Sequence, residues 1–297
     1  MRDYINEICG ELSFPAEAAQ AMLEAWDSIA AIPKAASIWK EWTECYEKDI
    51  HMDYKAALAA VDEAAAAAGV HKYTAEMLYF LGLTKHLKER YLEKSIDLQI
   101  WHDSCMDLHW KLLECREMDG IWGSFVSWWE PGFYDMTRFA LGRLQYELTD
   151  FPASYEKAGR IRPEGMTKLI NVHIPSCGKL DMAECHASYR QAAEFFSDAF
   201  PGGEVAFYCE SWMLYAPHAD FLKPDSGVVK FMKEYDIYHI QEEDGDLWRI
   251  YHRMYDGNPS TLPEGTSMQR AYKAWLEAGN HAGWGEGVFF LQKDGIA

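Results

Sequence analysis

The sequence predicts an α+β protein in which an all-helical N-terminal domain, residues 1–120, precedes a mixed β-sheet domain flanked by helices, residues 121–297. Three observations predict this class. Apolar residues recur at helical spacing up to about residue 117, and segments with strand-like alternation begin only later. Between these regions, glycine and proline concentrate in residues 119–131, which is typical of a domain boundary.

The predicted helices of the first domain begin near Pro15 and Pro33 and then span residues 53–68, 74–92 and 96–113. Proline at a first helical position is favourable because its missing N–H would have no partner there. The alanine run that ends at Ala68 has high helix propensity, and Gly69 is suited to end that helix. This half of the chain is therefore predicted to form a helical bundle.

One helix of this bundle contains potential metal ligands. His102, Cys105 and His109 are three and then four residues apart, so they share one helical face. The surrounding leucines and aromatic residues account for the same helix as ordinary core. We therefore expect these residues to be structural and expect no metal.

The second domain is predicted to alternate strands with helices. In residues 141–148, Leu144, Tyr146 and Leu148 share one face of a strand. The other predicted strands are residues 169–174, 204–213, 228–240 and 287–293. The predicted helices are residues 181–199, 246–252 and 266–279, the last with a capping box formed by Thr266 and Gln269.

The stretch 169–196 is where we expect the chemistry. A strand ends at Pro175, a loop of small residues follows, and Asp181 begins a helix with Glu184 at capping-box spacing. A loop at the start of a helix presents backbone N–H groups that many α/β proteins use to bind phosphate. The same arrangement is also a common β–α connection without a ligand.

Composition limits the partners that the chain is expected to bind. The formal net charge is −19 and the pI is near 4.9, so the overall field repels nucleic acids and anionic membranes. The seven cysteines include no CxxC pair, and no run is apolar enough to span a bilayer. We expect a cytoplasmic protein with reduced thiols, no membrane contact and no nucleic-acid partner.

Three blocks of the second domain carry a family resemblance: LGRLQYEL at 141–148, NVHIPSCGKLDMAECHASYRQAAEFF at 171–196 and FYCESWMLYAP at 207–217. SGVVKF at 226–231 and TSMQRAY at 266–272 support it. In these blocks the chain resembles a family of bacterial GNAT-like acyltransferases, in which a helical domain precedes a GNAT-like sheet domain. The resemblance implies a GNAT-like fold for residues 121–297 and extends over nearly the whole chain.

The resemblance also implies a co-substrate, acyl-coenzyme A, with an acetyl or longer acyl group. In this fold the loop and helix after a central strand bind the diphosphate, and the next strand diverges to admit the pantetheine arm. Carried over to this chain, the coenzyme A residues are Ile174, Ser176, Cys177, Gly178 and Lys179. The loop departs from the family pattern Q/R-x-x-G-x-G/A because it has only one glycine, and its helix starts with negative charge.

The acceptor implied by the resemblance is an amine of a small molecule or peptide. Acyl transfer needs a base for the amine proton and an acid for the leaving thiolate. The predicted catalytic residues are His173, Glu210, Ser211 and Tyr215, and the predicted acceptor-binding residues are Asn171, Cys209 and Trp212.

Two alternatives stay open at this point. Cys177 or Cys209 is a nucleophile candidate if a histidine lies close to it, although direct transfer needs no covalent enzyme intermediate. The chain is alternatively a non-catalytic protein that keeps the GNAT sheet as a scaffold for a small ligand or protein partner. The atypical loop and the acidic helix start favour this second reading.

Overall fold

The structure, a computed structural model, describes residues 1–292. Contacts divide the chain into two compact units, the first ending at Ala140 and the second beginning at Leu141. The first unit is helical and the second contains a mixed sheet with helices, so the predicted α+β class is confirmed. The composition change at 119–131 lies inside the first unit, and the boundary at residues 120 and 121 stays a prediction.

Long helices build the first unit, as the apolar periodicity predicts. They are α1 Arg2–Glu11, α2 Ala16–Ala31, α3 Pro33–Lys48, α4 Tyr54–Ala68, α5 Lys72–Glu93 and α6 Leu98–Asp119, followed by the short α7 Pro131–Tyr134. Pro33 occupies the first turn of α3, and Gly69 ends α4 in the left-handed conformation with φ +67°. Within residues 1–292, no helix combines the length and hydrophobicity that crossing a bilayer requires.

Aromatic side chains fill the core of this unit. Trp39 and Tyr79 meet edge to face with ring centroids 5.5 Å apart, a favoured aromatic geometry. The buried hydroxyl of Tyr46 donates to the carbonyl of Tyr134 at 2.8 Å, and the hydroxyl of Tyr134 donates to the carbonyl of Phe80 at 2.8 Å. These bonds satisfy phenol groups that would otherwise be costly to bury.

The second unit combines the sheet with shorter helices. Its strands are β1 Arg138–Leu141, which spans the division, β2 Leu144–Asp150, β3 Lys168–His173, β4 Glu204–Ser211, β5 Asp236–Glu242 and β6 Gly283–Gln292. Its helices are α8 Ala153–Lys157, α9 Met182–Phe195, α10 His218–Phe221, α11 Gly227–Met232, α12 Trp248–Tyr251 and α13 Ser267–Glu277. The capping box predicted for Thr266 and Gln269 is present at the start of α13.

The strand order in the sheet is β1-β2-β3-β4-β6-β5. β2 pairs antiparallel with β3, and β3 pairs parallel with β4, with α9 as the connection between them. β6 lies between β4 and β5 and is antiparallel to both. The sheet is therefore mixed, and the parallel pair of β3 and β4 lies at its centre.

Three alternate glycines let the chain after β4 lie directly on β6. A Cβ on Gly283 would come 2.5 Å from the ring of Tyr215, and one on Gly285 would come 2.3 Å from the carbonyl oxygen of Leu214. A Cβ on Gly287 would come 2.8 Å from Tyr235. Side chains at Gly283 and Gly285 would clash with Tyr215 and Leu214, so these glycines allow the segment after β4 to pack against β6.

Two strand predictions are wrong in part. Residues 141–148 are not one strand, because Gly142, with φ +72°, makes a turn between β1 and β2. The strand predicted at 228–240 is α11 followed by β5, because the Ser226 hydroxyl caps a helix by accepting from the Val229 N–H at 3.3 Å. Leu148, predicted on the buried face, is 36% exposed near the end of β2.

Candidate active site

The central strands β3 and β4 remain paired over a short stretch only. Their last registered pair joins Asn171 to Tyr208. β3 continues to His173 and β4 to Ser211, with no further registered pair between them in the described part of the chain. The strands therefore part at their C-terminal ends. Strand backbone at such a gap can hydrogen-bond an extended polar ligand in place of a neighbouring strand.

One face of the sheet around this gap is polar. Side chains alternate along each strand, and registered partners point to the same face. The polar side chains that share this face are Gln145, Glu147, Asn171, His173, Tyr208, Glu210 and Glu286. His173 ends one of the two parting strands and Glu210 lies near the end of the other, so the two side chains flank the gap.

His173 is oriented by a carboxylate of the neighbouring strand. Its Nε2 lies 2.9 Å from Oε1 of Glu147, and the Asn171 amide donates to the same oxygen at 3.2 Å. The side chains of His173 and Glu147 are 17% and 23% exposed, so solvent screens this pair only in part. When Nε2 carries the proton and donates to Glu147, the lone pair of the neutral imidazole lies on Nδ1.

A second polar cluster lies on β4, β5 and β6. Oε2 of Glu286 accepts hydrogen bonds from the phenols of Tyr238 at 2.8 Å and Tyr208 at 3.1 Å, and from the Ser154 hydroxyl. The Tyr208 phenol also lies 3.1 Å from Oε2 of Glu210. Burial, and then the carboxylates of Glu210 and Glu286, raise the pKa of Tyr208. Tyr208 is therefore a donor that links two carboxylates.

The loop between β3 and α9 contains the residues predicted to bind coenzyme A. Ile174 and Cys177 are half-buried, and Ser176, Gly178 and Lys179 are exposed. Gly178 adopts φ +102°, which explains the single glycine of the loop. The Asp181 carboxylate caps α9 by accepting from the N–H groups of Ala183 at 2.8 Å and Glu184 at 3.3 Å.

Arg143 contacts this loop from the turn between β1 and β2. Its guanidinium donates to the carbonyls of Gly178 at 3.1 Å, Pro175 at 3.3 Å and Lys179 at 3.4 Å. The sequence predicts Arg143 on the outer face of a strand, and nothing in the local pattern indicates a contact with a loop more than thirty residues away.

The remaining predicted site residues have contacts of a structural kind. Cys209 is fully buried on the face of β4 opposite to Glu210, and burial raises the pKa of its thiol. The Ser211 hydroxyl accepts from the Met213 N–H at 3.2 Å. The Tyr215 phenol donates to the His281 carbonyl at 3.3 Å, and the half-buried Trp212 ring lies 5.9 Å from that of His218. β4 ends at Ser211, so Trp212 and Met213 lie in a 3₁₀ turn rather than on the predicted strand.

Three residues of the site escape prediction from the sequence. Glu147 follows the strand alternation as an outward-facing residue, Tyr208 resembles core, and Glu286 lies in a glycine-rich segment. What brings them together is the register of β2 on β3 and of β4 on β6. Polar residues at alternate positions of β2 are a weak signal that this face is not core.

The histidines of α6 have ordinary structural contacts. His102 Nε2 lies 3.4 Å from the Glu11 carbonyl, and the His109 ring lies 6.2 Å from the ring of Phe14 and 4.6 Å from that of Trp110. Burial lowers the pKa of His109, and Cys105 is fully buried. In the part of the chain that the structure describes, no group of three or more His, Cys, Asp or Glu side chains is arranged to hold a metal ion.

Solved structures share this fold over nearly the whole chain. An acyltransferase in complex with decanoyl-CoA and teicoplanin has 20% identity and a TM-score of 0.72, with 96% of this chain and 87% of that chain covered. A mutant acyltransferase in complex with octanoyl-CoA has 19% identity and a TM-score of 0.72, with 96% and 86% covered. An acyltransferase in complex with CoA and 10C-teicoplanin has 20% identity and a TM-score of 0.71, again with 96% and 86% covered.

Two family models match the chain in succession. The N-acyltransferase N-terminal domain matches residues 3–136, and the GNAT-like C-terminal domain matches residues 139–289. No curated protein matches the chain in sequence. The resemblance found in the sequence is thus confirmed, and the chain belongs to the GNAT-like N-acyltransferase family, whose two domains it carries in this order.

Proposed function

We propose that the protein transfers an acyl group from acyl-coenzyme A to an amine of a small molecule or peptide. The observation that carries this proposal is the parting of β3 and β4 beside the His173–Glu147 pair, in a chain of the GNAT-like N-acyltransferase family. The gap receives the thioester arm of the donor. The histidine is within reach of an amine that approaches along the polar face of the sheet.

The proposed donor is an acyl-coenzyme A whose diphosphate lies on the loop 175–180, with Ile174, Ser176, Cys177, Gly178 and Lys179 as the proposed contacts. The similar solved structures contain CoA, octanoyl-CoA or decanoyl-CoA, which supports the same class of co-substrate here. The acyl group of this protein's donor is acetyl or longer, and a panel of chain lengths identifies it.

In the proposed reaction the amine nitrogen attacks the thioester carbonyl carbon, the C–N bond forms and the C–S bond breaks. His173 takes the proton that the amine nitrogen loses, directly or through water, while Glu147 holds the imidazole and stabilises its charged form. The proton then passes to the coenzyme A thiolate, which leaves as the thiol. No covalent enzyme intermediate is needed.

The proposed acceptor arrives with its amine as an ammonium, which loses one proton to solvent before the neutral amine attacks the thioester. Glu210 at the edge of the gap provides negative charge that attracts this cation, and Glu286 adds to it. Asn171 and Trp212 are proposed to contact the acceptor. The roles predicted for Cys209, Ser211 and Tyr215 stay predictions. Two of the similar solved structures contain teicoplanin or 10C-teicoplanin, which supports a peptide as one acceptor class.

The test is an assay of amide formation by mass spectrometry, with acetyl-, octanoyl- and decanoyl-CoA as donors and a panel of primary amines. The proposal expects amide and coenzyme A in equal amounts with at least one pair. If no donor binds at millimolar concentration in calorimetry, the proposed donor is wrong.

A non-catalytic scaffold is the second candidate. The observation that favours it is that Asp181 already occupies the first N–H groups of α9, where it also places negative charge. Binding of acyl-coenzyme A without turnover, across the same amine panel, would favour this candidate.

The cytoplasm is the proposed location of the reaction. All seven cysteines have free thiols, including the half-buried Cys45 and Cys177. Free thiols are the usual state in a reducing compartment.

A further inference from the structure

The start of α9 cannot by itself attract the diphosphate of the proposed donor. The Asp181 carboxylate accepts from the N–H groups of Ala183 and Glu184. The side chains of Asp181 and Glu184 also add negative charge at the end of the helix where an anion would bind. Lys179 is the one cation within the loop itself. The binding energy for a diphosphate must therefore come from the loop backbone and from charge supplied by another element.

Arg143 is an arginine that contacts this loop from another part of the chain, and the turn between β1 and β2 holds it in position. A Cβ on the preceding Gly142 would lie 2.9 Å from Oε1 of Gln191, so the turn packs closely on α9. The Ser188 hydroxyl, also on α9, accepts from the Leu144 N–H at 3.1 Å and bonds the Leu141 carbonyl. The turn is thus held to the same helix that the loop precedes.

The contacts of Arg143 set the orientation of three peptide groups. Its guanidinium binds the carbonyls of Pro175, Gly178 and Lys179. In a trans peptide the N–H points opposite to the C=O of the same unit, and the described chain has no cis peptide bond. The N–H groups of Ser176, Lys179 and Leu180 therefore point away from Arg143, towards one common side of the loop.

We propose that Arg143 is a positioning residue that shapes the loop 175–180 for the diphosphate of the acyl-coenzyme A donor and offsets the charge of Asp181 and Glu184. The guanidinium acts on the loop from outside it, from the turn between β1 and β2. This inference rests on the proposed function.

The test uses the full-length Arg143→Gln and Arg143→Lys variants. Loss of charge-assisted hydrogen bonds is expected to weaken coenzyme A binding about 10- to 100-fold in Arg143→Gln. Arg143→Lys keeps the charge but cannot bridge three carbonyls, so it restores binding only in part. The KM for acyl-coenzyme A should rise while kcat at saturation changes little.

A donor without a diphosphate separates positioning from general damage. Kinetics with an acyl-N-acetylcysteamine thioester should be the same in both variants as in the wild type. Arg190→Gln, which removes an exposed arginine of α9, is the matched control and should bind coenzyme A normally.

Two results overturn the inference while the proposed function stands. In one, wild type and Arg143→Gln bind coenzyme A equally well. In the other, Arg143→Gln loses activity equally with the N-acetylcysteamine thioester and with acyl-coenzyme A. If the wild type itself binds no acyl-coenzyme A in the same titration, the proposed donor fails, and that outcome is distinct from both. If Arg143→Gln does not fold, Arg143→Lys decides: binding equal to wild type contradicts the positioning role.

Discussion

The two faces of the sheet are made by the same strands but carry different side chains around the gap between β3 and β4. The face covered by α9 is aromatic: Phe207 and Phe289 stack with ring centroids 4.9 Å apart, and the Tyr189 ring lies 4.9 Å from that of Phe289. The opposite face carries the His173–Glu147 pair and the Glu286 cluster. Because successive side chains of a strand point to opposite faces, the aromatic and the polar residues alternate along each strand.

The difference between the faces shows how one sheet serves stability and chemistry at once. On the aromatic face even the hydroxyls bond one another, as between Tyr189 and Tyr235 at 3.2 Å and between Tyr146 and Ser188 at 2.7 Å. On the polar face, Glu210 and Glu286 form no ion pair with a lysine or arginine among residues 1–292. Carboxylates without a basic partner reduce stability and suit a cationic ligand.

The largest expected effect is on the polar face. His173→Ala removes the proposed base, and transfer should fall about 10²- to 10⁴-fold because general-base catalysis contributes that much. The midpoint of thermal unfolding should stay within a few degrees. His186→Ala, at an exposed histidine of α9 that pairs with Glu234, is the matched control and should keep full activity. A wild-type rate of acyl transfer in His173→Ala would show that His173 is not the base.

The second effect is on the aromatic face. Phe207→Ala leaves a cavity among Phe289, Tyr189 and Tyr146 and should lower the free energy of unfolding by about 3–5 kcal/mol. Denaturant titration measures this loss. Transfer per folded molecule should be unchanged. Phe290→Ala, at a residue 39% exposed on the same strand as Phe289, should cost far less. A fall in kcat for the folded fraction would contradict the separation of the two faces.

A smaller loss of rate is expected at Glu147. Glu147→Gln keeps the shape but replaces a charge-assisted hydrogen bond to His173, so kcat should fall about 10- to 100-fold at constant KM. Steady-state kinetics measure kcat and KM separately. Glu194→Gln, on the exposed side of α9, controls for the change in net charge. An unchanged kcat would show that Glu147 has no part in orienting the histidine.

The smallest expected effect is at Ser188. Ser188→Ala removes the hydroxyl that joins Tyr146, the Leu144 N–H and the Leu141 carbonyl, and should cost about 1–3 kcal/mol because buried groups lose their partner. Ser37→Ala, at an exposed serine of α3, should be neutral. Equal unfolding midpoints for the two variants would show that the Ser188 hydrogen bonds between α9 and the turn do not stabilise the fold.

Local signals in the sequence predicted much of the fold. Pro33, Gly69 and the Thr266 capping box end or begin helices as expected, because each acts on backbone groups within a few residues of it. The pattern failed where a turn or cap interrupts an apolar run, as at Gly142 and Ser226. In both places the sequence showed the apolar residues but not the backbone dihedral angles of the turn or helix that interrupts the predicted strand.

The candidate site was less predictable because it depends on register. Asn171 and His173 were identified from their own strand, but their partner Glu147 is brought to them by the pairing of β2 with β3. Arg143 reaches its loop only because the hairpin packs on α9. No spacing within one segment encodes contacts of this kind.

The most direct test of the account is a crystal structure of the protein with a non-hydrolysable thioether analogue of acyl-coenzyme A. The account predicts that the pantetheine arm lies between β3 and β4 beyond Asn171 and Tyr208, with the reacting carbon on the polar face beside His173. The diphosphate should lie on the loop 175–180, on the side opposite to Arg143. An analogue bound on the aromatic face, or away from the gap, would contradict it.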